Sequence, residues 1–147
     1  MTAGSWLFLI DFALVFYVLG ATFVEGFVNY RTWHLIGEAE FAVYHRAVGR
    51  KIIEVLVAPH SLTLVLTLGL LWWRPAAIPL WAIWIAIALN VVPVVVTAAS
   101  QVPIQREFDR GGRSTSALNR LVRMEWLRSI PHSINALLFI WAMSRVI

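Results

Sequence analysis

Residues 78–101 read IPLWAIWIAIALNVVPVVVTAASQ, and no charged side chain interrupts them. About 20 apolar residues in helical conformation cross the roughly 30 Å hydrocarbon layer of a bilayer. The stretch therefore predicts a transmembrane helix. Three more runs of the same kind flank it, at about 6–28, 49–73 and 121–147. Composition agrees with this reading. Of 147 residues, 60% are hydrophobic and 14% charged, against about 45–50% and about 25% in soluble domains. A globule this small has too much surface to bury so many apolar side chains, so lipid takes the place of water over much of it. The expected fold is an all-α, integral membrane four-helix bundle, with residues 1–147 forming one four-span domain. The first run does not read as a cleaved signal peptide. No basic residue precedes it, Asp11 lies near its start, and its apolar stretch is too long.

The connections are expected to be uneven. Arg74-Pro75 and Pro79 mark a tight turn between spans two and three. Residues 29–48 and 102–120 read as the long loops. Within the first, Phe41, Tyr44 and Val48 recur at helical spacing and predict an interfacial helical segment between spans one and two. His34 and His45 are expected to be solvated there. Ten of the twelve basic residues fall on this side: Arg31, Arg46, Arg50, Lys51, Arg106, Arg110, Arg113, Arg120, Arg123 and Arg128. Only Arg74 and Arg145 fall on the other. That bias places the long loops in the cytoplasm and both termini on the opposite side. The net charge of +4 and pI near 10.3 are then basic loops facing anionic lipid headgroups, and nucleic acid is not an expected partner. The chain has no cysteine, which excludes disulfides, thiolate metal sites, iron–sulfur clusters and a thiol nucleophile.

Ionisable groups inside a span are costly and usually face the bundle interior or a water-filled cavity. Each span carries a polar stripe. On span one it is Asp11, Thr22, Glu25 and Asn29. On span two, Arg50 and Glu54 lie four apart, with His60, Thr63 and Thr67 on a neighbouring line. Span three offers Asn90, Pro93, Thr97 and Gln101, and span four Glu125, Arg128, His132 and Asn135. Converging helices would turn these stripes toward a common interior. The expected result is a pocket near the cytoplasmic end, lined by Glu25, Glu54, Glu125, Arg128, His60 and His132, with Thr97, Gln101 and Asn135 as further contacts. Pro59, Pro93 and Pro131 are expected to widen it. Asp11 is expected near the opposite face.

Each feature has a plainer reading beside the functional one. Glu54 after Arg50, and Glu125 before Arg128, are also the spacings of ordinary helix-surface ion pairs. Buried histidines are more often packing elements than ligands. His60 and His132 with one glutamate are candidate ligands for a divalent metal, and two histidines on separate helices are also candidate haem ligands. The Glu-x-x-His motif of di-iron bundles is absent, and nothing in the sequence requires a cofactor.

Three local patterns carry a resemblance: Phe41-Ala-Val-Tyr44-His45 followed by Ile53 and Pro59; Val96-Thr97-Ala-Ala-Ser-Gln101-Val102-Pro103-Ile104; and Leu121-Val122-Arg123-Met-Glu125-Trp126-Leu127-Arg128-Ser129. In this order they resemble a group of small bacterial four-span membrane proteins, which in turn is similar to the anthrone oxygenase-like proteins. The group usually has a histidine where this chain has Gln105, asparagine or histidine in place of Glu125, and threonine in place of Ser129. The resemblance implies a bacterial inner-membrane oxidoreductase of the oxygenase type, acting on a lipophilic, polycyclic aromatic substrate. Glu125 or His132 would be the base and Arg128 would stabilise the resulting anion. The competing reading is a non-catalytic binding or structural subunit of a homo-oligomer or larger membrane complex, holding haem, pigment, quinone or metal.

Overall fold

The computed structural model describes residues 2–147, and among these there is no strand. Three long helices are α1 (Ala3–Leu35), α2 (Glu38–Trp73) and α3 (Leu80–Gly111), of 33, 36 and 32 residues. Each is long and apolar enough to cross a membrane. The chain ends with α4 (Thr115–Met124) and α5 (Trp126–Val146), joined at Glu125. By length and composition α5 does not join the three, because Arg128, His132 and Asn135 dilute its apolar content.

Local chemistry sets the ends. The Thr2 hydroxyl accepts from the Ser5 amide at 3.2 Å and caps α1. Ser114 caps α4 through the Ala117 amide. Gly112 stops α3 with φ +72°, a left-handed conformation that only glycine adopts without strain. Between α2 and α3, Arg74 Nε donates to the Ile78 carbonyl at 2.9 Å and closes the proline-marked turn.

The expected loops are helical. At about 1.5 Å per residue the three long helices are roughly 50 Å each, well beyond a bilayer core. Their excess lies at one end. There the last turns of α1, residues 38–52 of α2, residues 102–111 of α3 and α4 enclose a core of Tyr30, Trp33, Phe41, Ile104, Phe108, Ala117, Leu118 and Leu121. The helical segment expected to lead into span two is thus the first part of α2, continuous with it and packed on α3. Phe41 and His45 turn inward while Tyr44 stays partly exposed. The other end has its own core, built on Phe8, Val15, Leu70, Ile83, Ala86 and Phe139. Around it the outward side chains are apolar, including Ile10, Val65, Trp84 and Leu137.

Three wide π-helical turns interrupt the long helices at one level: Val24–Asn29 in α1, Ile53–Val57 in α2 and Thr97–Gln101 in α3. Two of them end just before a proline, Pro59 or Pro103. A proline has no N–H and its ring crowds the carbonyl four residues back, so the preceding turn widens and the bond runs five residues back instead. The amides of Ala58 and Val102 do this, donating to the Ile53 and Thr97 carbonyls. Pro93 and Pro131, expected to break their helices, lie inside regular α-helix.

Candidate functional site

A cavity of about 830 Å³ lies between the two cores, at the level of the wide turns. It opens mainly between α2 and α3. These helices pack together over residues 58–73 and 80–96, and again over residues 38–52 and 102–111. Between those contacts they part, and the wide turns occupy the gap. π-turns recur at functional sites because the extra residue re-aims the side chains around it.

One wall is a buried polar cluster. The Glu125 carboxylate accepts from Gln101 Nε2 at 3.0 Å and from Ser129 Oγ at 3.2 Å. Arg128 Nη2 lies 2.9 Å from Glu125 Oε2, and both side chains are more than nine-tenths buried. Arg128 also reaches Thr97 Oγ1 at 3.5 Å. Glu25 accepts from Asn29 Nδ2 at 2.6 Å. The cluster fits because residue 26 is glycine: a Cβ there would stand 2.2 Å from Glu125 Cγ. Burying an ion pair costs several kcal/mol per ion in desolvation, offset only by close geometry and added hydrogen bonds. The amide of Gln101 and the hydroxyl of Ser129 supply those bonds.

Two histidines lie beside this cluster, His132 one turn along α5 from Arg128. His60 Nε2 lies 3.1 Å from the Asn90 carbonyl. A carbonyl only accepts, so this nitrogen carries the proton and Nδ1 is left as an acceptor. His132 packs edge-on against His60, with ring centroids 4.8 Å apart. Its nitrogens have no hydrogen-bond partner among the described residues, and the ring lines the cavity.

The sequence-derived candidates divide accordingly. Glu25, His60, Thr97, Gln101, Arg128 and His132 line the cavity. Glu125 is buried behind Arg128 and does not form the wall, so its role is to position the guanidinium. Asn135 lies deeper, with Nδ2 3.5 Å from Asn90 Oδ1. Glu54 is not brought to the site. It is exposed and pairs with Lys51 at 2.8 Å rather than with Arg50. Its wide turn adds one residue, rotating the helix by about 100° relative to a regular phase, and Leu56 turns inward instead. Asp11 is buried in the bundle within the core at the end away from the cavity, accepting from Thr67 Oγ1 at 2.8 Å.

Among the described residues no group of three or more His, Asp or Glu side chains converges to hold a metal ion. The edge-on contact of His60 with His132 leaves no gap for a porphyrin plane between them, so the pair does not fit a shared haem.

A polar group on the wall, His45 with Gln105 and Asp109, escaped the sequence reading. His45, expected in solvent, is buried. Its Nδ1 donates to Asp109 Oδ1 at 3.0 Å, and its Nε2 lies 2.5 Å from Gln105 Oε1. Trp33, Phe41 and Phe108 surround its ring. The signal was present: Phe41, His45 and Val48 keep helical spacing, as do Gln105 and Asp109. Compared with models of known protein families, with curated proteins and with solved structures, the chain shows no match.

Proposed function

We propose that the chain is a four-span membrane enzyme that oxidises a lipophilic substrate, polycyclic aromatic phenols included, within the cavity between α2 and α3. The observation that carries this reading is the cavity itself: a space of about 830 Å³, open between α2 and α3, whose inner wall carries two histidines and a buried arginine. Pockets of some 300–1,000 Å³ with few placed polar groups are the usual form of small-molecule sites. The fourth span is α5. Its polar residues Arg128, Ser129, His132 and Asn135 are buried, and Ile130, Ile134, Leu137 and Ile140 face outward. Its low average hydropathy reflects that inward stripe, while its outer face is as apolar as that of its neighbours. The long loops and α4 then lie in the bacterial cytoplasm, with the termini opposite.

The chemistry is that implied by the likeness to the anthrone oxygenase-like proteins. His132, whose ring nitrogens have no protein partner, removes a proton from an activated CH₂ group. Arg128, held by Glu125, stabilises the anion. Molecular oxygen accepts the electrons. Two C–H bonds break, one oxygen atom becomes the new carbonyl, and the other leaves as water with both protons. The test is oxygen uptake and quinone absorbance with a dihydroxyanthrone. His132→Gln and Arg128→Lys are expected to lower turnover by about a hundredfold, the common size of an acid–base or electrostatic contribution, while helical content and melting temperature are kept. Full turnover in both variants overturns the reading.

A specific observation favours a second, non-catalytic reading. Both Glu125 oxygens are taken up by Gln101, Arg128 and Ser129, so the carboxylate paired with Arg128 is already engaged and not placed to act as a base. A protein that binds the anthrone tightly but never consumes oxygen would fit a binding subunit.

A further inference from the structure

The cations at the cytoplasmic end are not equivalent. Among the described residues, Lys51 pairs with Glu54, Arg113 with Glu38, Arg120 with Glu107 and Arg128 with Glu125. Arg31 lies over the Phe27 ring, and Arg123 donates to the Asn119 carbonyl. Arg46, Arg50, Arg106 and Arg110 make no ion pair or hydrogen bond among the described residues. Of these four, only Arg46 and Arg50 line the cavity. They lie four apart on α2, so they sit one turn above the other on the same side. Of the two acids that line the cavity, Asp109 is bonded to His45 and Glu25 to Asn29.

The gap between α2 and α3 continues from these arginines toward the apolar end. Its walls include Ile53, Val57 and Val94, which line the cavity and are also exposed on the outer surface. The opening is therefore lateral, through the apolar flank of the bundle. An apolar chain can pass through it from lipid without crossing a polar surface. The cavity thus has free cations at the end nearest water, an apolar side entrance next, and His60, His132 and Arg128 inside. That is the polarity order of an amphiphile lying in one leaflet, head at the interface and tail in hydrocarbon.

We propose that the ligand is a single-chain or fused-ring amphiphile bearing one acidic group, bound with that group on Arg46 and Arg50 and its apolar body in the α2–α3 gap. The proposal rests on the reading of the cavity as a substrate site and names the substrate class. The site selects for an anion because the two arginines along its wall have no ion-pair partner among the described residues, and for a slim body because the space is that of a small-molecule pocket.

The experiment uses the full chain purified in a neutral maltoside detergent and a palmitate carrying a diazirine in mid-chain. After illumination, labelled peptides are mapped by mass spectrometry. Label is expected on the segments around Ile53–Val57 and Val94. Oleate should displace it, while oleyl alcohol and phosphatidylglycerol should not. Arg46→Gln with Arg50→Gln should weaken oleate competition about tenfold, the size of a lost charge-assisted hydrogen bond. Arg106→Gln with Arg110→Gln should leave it unchanged. Equal competition by oleyl alcohol, or undiminished binding by the Arg46/Arg50 double variant, overturns the acidic-head assignment while the cavity reading stands. Displacement by phosphatidylglycerol as strong as by oleate makes the arginines ordinary headgroup contacts and also overturns it. Label spread evenly over all outward helix faces overturns this proposal and the cavity reading together.

Discussion

Two buried polar layers cross the bundle, and they are built on different chemistry. In the layer inside the apolar core, Asp11 accepts from Thr67, Asn90 donates to Thr67 Oγ1 at 3.2 Å, and Asn135 approaches Asn90. It contains no cation, and it ties α1, α2, α3 and α5 through short side chains that need no space beside them. In the layer beside the cavity, Arg128 and Glu125 form a buried ion pair, held by Gln101 and Ser129. The first layer fixes which helix faces meet. The second keeps a charge in place next to an open space. Burying an ion pair costs several kcal/mol per ion in desolvation, so an ion pair kept beside an open space points to a use for its charge.

The contrast can be broken most forcefully at Arg128. Arg128→Met leaves the Glu125 carboxylate buried without its cation, and the expected loss is about 3–5 kcal/mol of stability, read from denaturant midpoints in micelles. A loss no larger than that of a change in the cation-free layer would show that the two layers are energetically alike. Gly26→Ala comes next. Its Cβ would stand 2.2 Å from Glu125 Cγ and 2.7 Å from Cδ, forcing the carboxylate off at least one partner at a cost of about 1–3 kcal/mol. Gly20→Ala, with open space around it, is the control that should be neutral or slightly stabilising in the same helix.

In the cation-free layer, Thr67→Val removes the donor to Asp11 and the acceptor of Asn90. About 1–2 kcal/mol should be lost, and less than the sum of the single changes when combined with Asp11→Ala, because the two share one bond. Strict additivity of that pair would mean the hydroxyl and carboxylate do not interact. Smallest of all is Glu54→Gln, on the surface with Lys51. It should change stability by less than about 0.5 kcal/mol and leave ligand binding untouched. A larger effect on binding would return Glu54 to the site.

Much of the candidate site was legible as polar residues at helical spacing in apolar runs. Glu25, His60, Thr97, Gln101, Arg128 and His132 were found that way, and they do line one cavity. Glu54 was misassigned because its phase was read through a regular helix, and the wide turn before Pro59 shifts that phase. His45 was missed for another reason. Its amphipathic spacing predicts an interfacial segment without naming what that segment packs on, and the partner is α3, where Gln105 and Asp109 meet the imidazole. The helical extension through 102–111 was read as loop because its charges, Arg106, Glu107, Asp109 and Arg110, mask the short apolar pair Ile104 and Phe108 that anchors it.

By itself the sequence determined the class of the molecule and its polar stripes. Apolar runs of membrane-crossing length, the lack of cysteine and the gathering of cations on one side are properties of composition and local spacing, and no partner segment is needed to read them. The tertiary structure decided which stripes meet, where the helices part, and which charges find partners. Those outcomes depend on contacts between segments far apart in the chain, such as Gln101 with Glu125 and His45 with Asp109. They depend equally on three wide turns whose rotation of each helix is felt only when the helices pack.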